Sequence, residues 1–229
     1  SSSELEKQGM KGLAGGLRAQ ADGSLHPLML LQEMHRWLGS QGVKFVFNQS
    51  AGWVEGNTLT LENGQLKAPL FFLCTNGYAG QFHDELKGLV FPKRAQMIAL
   101  EAPQLKLSGN FYDPAHKVYF RQTPEGELLI GGLRLIDEAT ENSEYDRLNR
   151  TIQKALEAYA TEKFQETFAV SRRWSGIMGF TAEERPLIHA IPHQPVVFVG
   201  GFSGHGMGLA FGVAHSAVSR FLGAASSMP

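Results

Sequence analysis

Val196-Val197-Phe198-Val199-Gly200-Gly201-Phe202-Ser203-Gly204-His205-Gly206 runs straight into Met207–Leu222, and this stretch decides the fold. Its first four residues are wholly apolar, the pattern of a short strand buried on both faces. The glycines mark a turn whose backbone can lie close to a bound molecule, because no Cβ intervenes. Met207 to Leu222 then has helical spacing, and Gly223 stops it. A helix start offers N–H groups without intrahelical acceptors and the positive end of the helix dipole. Strand, glycine turn and helix in that order predict a cradle for an anion or for developing negative charge. The alternative is a glycine turn used only for tight packing. A phosphate-binding P-loop is excluded, because no Gly-Lys-Ser/Thr follows. The dinucleotide fingerprint in its usual place is excluded too, because no crossover unit follows.

Working outward, Leu70-Phe71-Phe72-Leu73-Cys74 is a second apolar run ending in Thr75-Asn76-Gly77. It predicts a buried strand beside Val196–Val199 in one sheet. Pro27 suits a first helical position, and Leu30, Leu31, Met34, Trp37 and Leu38 then share a face, with Gly39 as the stop. Val43–Phe47 reads as a strand. Gly52–Glu55 and Thr58–Leu61 flank Gly56-Asn57 as a hairpin, and Asn63-Gly64 marks another turn. Residues 1–23 are small and polar, with glycines at 9, 12, 15, 16 and 23, and read as loop or as the cut end of something longer. In the middle, Pro92–Leu100, Lys117–Arg121 and Leu128–Gly132 read as longer strands. Thr123-Pro124-Glu125-Gly126 joins the last two into an antiparallel hairpin. Ser143, with Asp146 as a box-like cap, opens a helix with the stripe Tyr145, Leu148, Ile152, Ala155, Leu156 and Tyr159. Residues 162–185 are mixed and contain Arg172-Arg173-Trp174. Trp37 and Trp53 read as core.

Composition narrows the function. The chain has 229 residues, room for one large domain or two small ones, and 43% are apolar against 19% charged, which suits a packed core. Lys and Arg number 21 against 22 Asp and Glu, a net charge of −1 that excludes a generally basic nucleic-acid binder. The single cysteine, Cys74, excludes an internal disulfide and a Cys-based zinc site, and in its apolar strand it reads as a core residue. The eight histidines lack metal-ligand spacing, and no Ser/His/Asp order with a nucleophile elbow appears. No apolar run approaches the roughly 18 residues that span a bilayer. The polar start Ser1-Ser2-Ser3-Glu4 lacks a signal-peptide core, so a cytoplasmic location is expected.

Gly201-Phe202-Ser203-Gly204-His205-Gly206 resembles the C-terminal flavin motif of the D-amino-acid-oxidase superfamily, which includes monomeric sarcosine oxidase, glycine oxidase and γ-glutamylputrescine oxidase. Four further segments agree in order. Gly15-Gly16-Leu17 to Asp22-Gly23 with His26-Pro27 resembles the stretch before the second helix of the FAD domain. Leu73-Cys74-Thr75-Asn76-Gly77 resembles the strand-end glycine beside the FAD. Tyr119-Phe120-Arg121 to Leu129-Ile130-Gly131-Gly132 resembles the substrate-domain hairpin. Trp174-Ser175-Gly176 with Thr181 and Arg185-Pro186 resembles the segment leading back to the FAD domain.

The resemblance implies an α/β chain of mixed α+β character: the remainder of a FAD/NAD(P)-binding Rossmann-like domain plus a mainly antiparallel substrate-domain sheet. Residues 1–87 would be the middle of the FAD domain, 88–185 the substrate domain and 186–229 the end of the FAD domain. It implies FAD contacts at Ala51, Gly77, Phe202, Ser203, Gly204, His205, Gly206, Met207 and Gly208, and substrate contacts at Tyr119, Arg121 and Met178. It names no catalytic side chain and no metal ligand. The FAD would be non-covalent, since Met178-Gly179 stand where sarcosine oxidase has its flavin-linking cysteine. His205 would orient the flavin ring edge, or else only fill the turn.

The implied reaction is oxidation of the carbon beside an amine nitrogen of a small-molecule substrate, with transfer of hydride to the flavin and hydrolysis of the resulting imine. Two departures qualify it. The family's N-terminal βαβ unit, which holds the FAD pyrophosphate, is lacking. A further N-terminal segment or a second chain would supply it. Alternatively the chain is a non-catalytic fragment or subunit that scaffolds a partner carrying that site. The positions of the substrate-carboxylate clamp are also non-basic: Thr123, Gly204 and Gly208. Arg121 reads either as a replacement clamp or as a surface arginine at a strand end.

Overall fold

The computed structural model describes residues 1–223. The last six residues of the expected C-terminal segment lie outside them. In chain order the elements are α1 (Ser2–Lys7), α2 (Pro27–Ser40), β1 (Ala51–Glu55), β2 (Thr58–Leu61), β3 (Gly64–Lys67), β4 (Phe71–Leu73), α3 (Asp84–Lys87), β5 (Phe91–Glu101), β6 (Asn110–Asp113), β7 (Val118–Gln122), β8 (Glu127–Gly132), α4 (Glu138–Glu141), α5 (Arg150–Phe164), β9 (Val170–Phe180), β10 (Leu187–Ala190), β11 (Val196–Gly200) and α6 (Gly206–Leu222). The fold is the mixed α/β type expected, and the chain divides into two units.

The first unit holds Ser1–Asn48, Gln96–Ile136 and Leu148–Trp174. Its sheet has the order β6-β7-β8-β5-β9. β7 and β8 form the expected antiparallel hairpin, with Phe120 opposite Ile130. Alternation puts Val118, Phe120, Leu128, Ile130, Ile98 and Leu100 on one face, where α5 covers them with Ile152, Leu156 and Phe164. The α5 start differs from the expectation at Ser143. Asn149 is the cap, its Oδ1 accepting from the N–H groups of Thr151 (3.0 Å) and Ile152 (3.3 Å). The Ser143 hydroxyl instead accepts from the Tyr145 N–H in a local turn, and Tyr145 and Leu148 are exposed.

Several further expectations are corrected in this unit. Residues 1–23 contain a helix, α1, and Met10 is buried in the core, while Lys11 N–H donates to the Lys163 carbonyl at 2.7 Å. Val43–Phe47 is not a strand. It gains no ladder partner among the described residues, and Phe45 and Phe47 stack on each other and against His35 of α2. Helix α2 forms where expected, with Pro27 at its first position, yet it buries no residue, and Trp37 is 63% exposed rather than core.

The second unit holds Gln49–Ala95, Asp137–Arg147 and the described residues from Ser175 onward. One sheet has the order β1-β2-β3 and another β10-β11-β4. The pairing expected between the two apolar runs is present: β11 runs parallel to β4, with Val196 opposite Phe71 and Phe198 opposite Leu73. β10 lies antiparallel on the other side of β11, which is buried along its whole length. Val197 and Val199 pack under Val213, Ala217 and Phe221 of α6 on one face. Val196 and Phe198 pack with Val54, Ala79, Leu86, Val90 and Ile191 on the other, where half-buried Trp53 also joins. Cys74 is exposed rather than core, because β4 ends at Leu73 and the chain turns there.

Candidate functional site

In an open α/β sheet, ligands sit beyond the carboxyl ends of parallel strands. β4 and β11 are such a pair, and the turns that follow them meet in the second unit. The Gly201 N–H donates to Asn76 Oδ1 at 3.1 Å. The Ser203 N–H donates to the Gly179 carbonyl at 2.9 Å, and the Thr181 N–H donates to Ser203 Oγ at 3.3 Å. Three segments far apart in sequence are thereby tied together: the end of β4, the end of β9 and the turn after β11.

Two glycines in this junction are dictated by geometry. A Cβ on Gly179 would lie 2.7 Å from Asn76 Oδ1 and 2.9 Å from Gly77 N. Gly201 has φ +69°, and a Cβ there would meet Thr181 Cγ2 at 2.6 Å. Ser203 holds φ 50° and is buried, its hydroxyl and N–H both engaged.

The turn delivers the chain into α6. The His205 N–H donates to the Phe202 carbonyl at 2.8 Å, and His205 Nδ1 lies 3.0 Å from the Ser203 carbonyl oxygen. His205 occupies the N-cap position without capping through its side chain, and it is exposed. Gly206 and Gly208 lie in the first turn of a 17-residue helix. A Cβ on Gly206 would make only ordinary contact with Phe202, and one on Gly208 would meet nothing within 4 Å. The Gly208 and Leu209 N–H groups both donate to the His205 carbonyl at 3.2 Å, which leaves Gly206 and Met207 as the residues of the helix start whose N–H groups lack an intrahelical acceptor, with the helix dipole behind them. At the end of β4, the Thr75 hydroxyl oxygen is buried without a hydrogen-bond partner.

The residues singled out from the sequence fall as follows. Gly77 and Met178 belong to the junction, a Cβ on Gly77 lying 3.0 Å from the Met178 carbonyl. Phe202, Ser203, Gly204, His205, Gly206, Met207 and Gly208 form the turn and helix start, with Met207 exposed. Ala51 opens β1, in the hairpin sheet, opposite Leu61. Tyr119 and Arg121 are on β7 in the first unit. The Arg121 guanidinium donates to the Leu25 carbonyl at 2.8 Å. The Thr123 hydroxyl accepts from the Glu127 N–H at 3.2 Å, closing its own turn. Asn76 and Thr181 were not singled out as site residues. The only sequence signal for Asn76 is an asparagine before glycine at a strand end, a common left-handed position. Among the described residues, no group of three His, Cys, Asp or Glu is placed to hold a metal ion.

The parallel pair β4 and β11, with a glycine turn leading into α6, defines an α/β protein. The model of the DAO family, FAD dependent oxidoreductase, matches residues 1–220, and the chain belongs to that family. FAD is the family's cofactor. No curated protein sequence matches the chain. Among solved structures, L-proline dehydrogenase from P. horikoshii has a TM-score of 0.73 at 16% identity, over 89% of this chain and 57% of its own. L-amino acid deaminase from Proteus vulgaris has a TM-score of 0.76 at 13% identity, over 98% of this chain and 66% of its own. Iminodiacetate oxidase from Chelativorans sp. BNC1 has a TM-score of 0.70 at 17% identity, over 88% of this chain and 56% of its own. At such identities the likeness is one of fold. The chain spans a little over half the length of the proline dehydrogenase.

Proposed function

We propose that this protein takes part in FAD-dependent oxidation of a carbon–nitrogen bond in a small amine, and that the α6 helix start faces the flavin. The carrying observation is the junction that fixes the turn after β11 and delivers it into α6, at whose start the Gly206 and Met207 N–H groups lack intrahelical acceptors. The residues present fit the ring end of FAD: a helix start suited to negative charge, glycines whose missing side chains leave room, and at the end of β4 a buried Thr75 hydroxyl without a hydrogen-bond partner. FAD, when bound, supplies the two-electron acceptor for oxidation of the carbon beside the amine nitrogen, and water then hydrolyses the imine product. Gly206, Met207 and Gly208 would orient the ring and stabilise negative charge on its pyrimidine side. Met178, which belongs to the same junction, would contact the substrate.

The substrate is an amine without an adjacent carboxylate. A buried carboxylate needs a paired cation or several hydrogen bonds. Thr123 spends its hydroxyl in its own turn, Gly204 and Gly208 offer no side chain, and Arg121 is held by Leu25. The compared structures are named for proline, amino acids and iminodiacetate, so this reading separates the chain's substrate from theirs.

The pyrophosphate end of FAD is assigned to a further segment or a second chain. Support comes from the outward side of α6, where Phe211 is 67% and Leu222 61% exposed, apolar surface suited to burial against another element. The same observation favours the second reading, a scaffold without turnover of its own. Absorbance of the purified protein decides. Flavin bands near stoichiometric level, bleached anaerobically by a γ-glutamyl diamine or a methylamine, support the oxidoreductase. No bands even after added FAD support the scaffold.

A further inference from the structure

We propose that Asn76 is the positioning residue of this site: its side-chain carbonyl latches the turn after β11 and so sets where the start of α6 is presented. This rests on the functional reading above. β4 is only three residues long and hands the chain through Cys74 and Thr75 to Asn76. Asn76 sits at φ 45°, a left-handed conformation that asparagine tolerates better than most residues. From there its Oδ1 accepts the Gly201 N–H at 3.1 Å, across 125 positions of sequence.

Packing makes this contact a fixed point. A Cβ on Gly179 would lie 2.7 Å from Asn76 Oδ1, and one on Gly200 would lie 3.3 Å from Asn76 Cα. Both neighbours are glycines at the places where backbone presses on Asn76. Gly201 cannot yield either, since it holds φ +69° against Thr181. From Gly201 the path to the helix is short and stiff. Ser203 is held by Gly179 and Thr181, and the His205 N–H is held by Phe202. A displacement of Asn76 therefore moves Gly201 and, through Phe202–His205, the first N–H groups of α6. Groups that stabilise charge need placement to about half an ångström, and the residues supporting them decide that.

Two variants of the full chain separate the latch from general packing. Asn76→Gly keeps the left-handed backbone and removes the acceptor. Asn76→Asp keeps both. Hydrogen exchange at the Gly201 amide should be roughly three- to ten-fold faster in Asn76→Gly, the range one hydrogen bond is worth, and close to wild type in Asn76→Asp. Fluorescence titration with FAD should weaken by a similar factor in Asn76→Gly and recover in Asn76→Asp. Unchanged Gly201 exchange in Asn76→Gly overturns the latch. Faster exchange with unchanged FAD affinity overturns its positioning role, as does failure of Asn76→Asp to restore either readout. A wild-type chain that takes up no FAD overturns the functional reading, and the exchange result still decides the latch.

Discussion

Tyr119 and Gly131 face each other across β7 and β8, and the phenol ring occupies the space a Gly131 side chain would take. A Cβ on Gly131 would collide first with Sδ of Met97, its register partner on β5, and would lie 2.5 Å from Tyr119 Cε2. The glycine is a packing requirement of the sheet. We expect Gly131→Ala to cost about 1–3 kcal/mol by overpacking. A lowered thermal midpoint is the readout, and an unchanged midpoint would show that Met97 and the ring move aside freely.

Gly206 behaves differently, because the chain itself has room for a side chain there. We expect Gly206→Val to leave the thermal midpoint of the apoprotein within a few degrees of wild type and to lower flavin content sharply. Stability and flavin content falling together would mean that the effect is structural and that Gly206 is not at the ring.

Arg121 is tied to the Leu25 carbonyl. We expect Arg121→Ala to lose about 0.5–1.5 kcal/mol of stability, one hydrogen bond's worth, with kcat/KM for amines kept within a few-fold. Loss of turnover of glycine, sarcosine or D-amino acids specifically, in a panel set against γ-glutamyl diamines and methylamines, would make Arg121 a carboxylate clamp.

Asp113 accepts from the Tyr159 hydroxyl at 2.9 Å and lies 2.8 Å from His116 Nδ1. Burial alone would raise its carboxyl, but the hydrogen bonds from His116 and Tyr159 outweigh it and hold the group below its ordinary value. A carboxyl lowered on folding stabilises the protein fully above the unfolded pKa, near 3.9, and that contribution disappears as pH falls through the folded value. We expect the thermal midpoint to fall from about pH 5 downward, and Asp113→Asn to be less stable at neutral pH with a shallower acid limb. An acid limb of the same steepness in Asp113→Asn would assign it to other carboxylates.

Arg94 and Glu141 are both buried, joined by Nη2–Oε1 at 2.7 Å, and Arg94 also donates to the Thr140 and Tyr145 carbonyls. The pair pins the Asp137–Arg147 segment to β5. Removing one partner leaves a buried charge, so Glu141→Leu should cost about 3–5 kcal/mol. Glu141→Leu with Arg94→Met should cost clearly less than the sum of the single changes, in a denaturant double-mutant cycle. Additive costs would mean that the two charges do not depend on each other.

What the sequence made legible follows physical rules. β4 and β11 were readable as buried strands because both runs are wholly apolar, their pairing in one sheet was expected together with the family resemblance, and the β7–β8 hairpin was readable because Thr123–Gly126 is a strong turn. β9 was not, because it is an edge strand whose Ser171, Arg172 and Arg173 are exposed, so burial leaves no periodic mark. Val43–Phe47 has the composition of a strand, but a strand exists only where a ladder partner does. Asn149 won the α5 cap over Ser143 because its carbonyl reaches two N–H groups at once. Of the site, the glycine turn and helix start were visible because they are contiguous. Asn76 was not, because its role is defined by Gly201, which only the folded chain brings near.

Cys74 is the chain's only thiol, and it is exposed two residues before Asn76. A maleimide dye would therefore attach at one place, at the end of β4. Its emission would give a time-resolved optical signal from the edge where the cofactor is proposed to arrive, in the native protein and without an engineered handle.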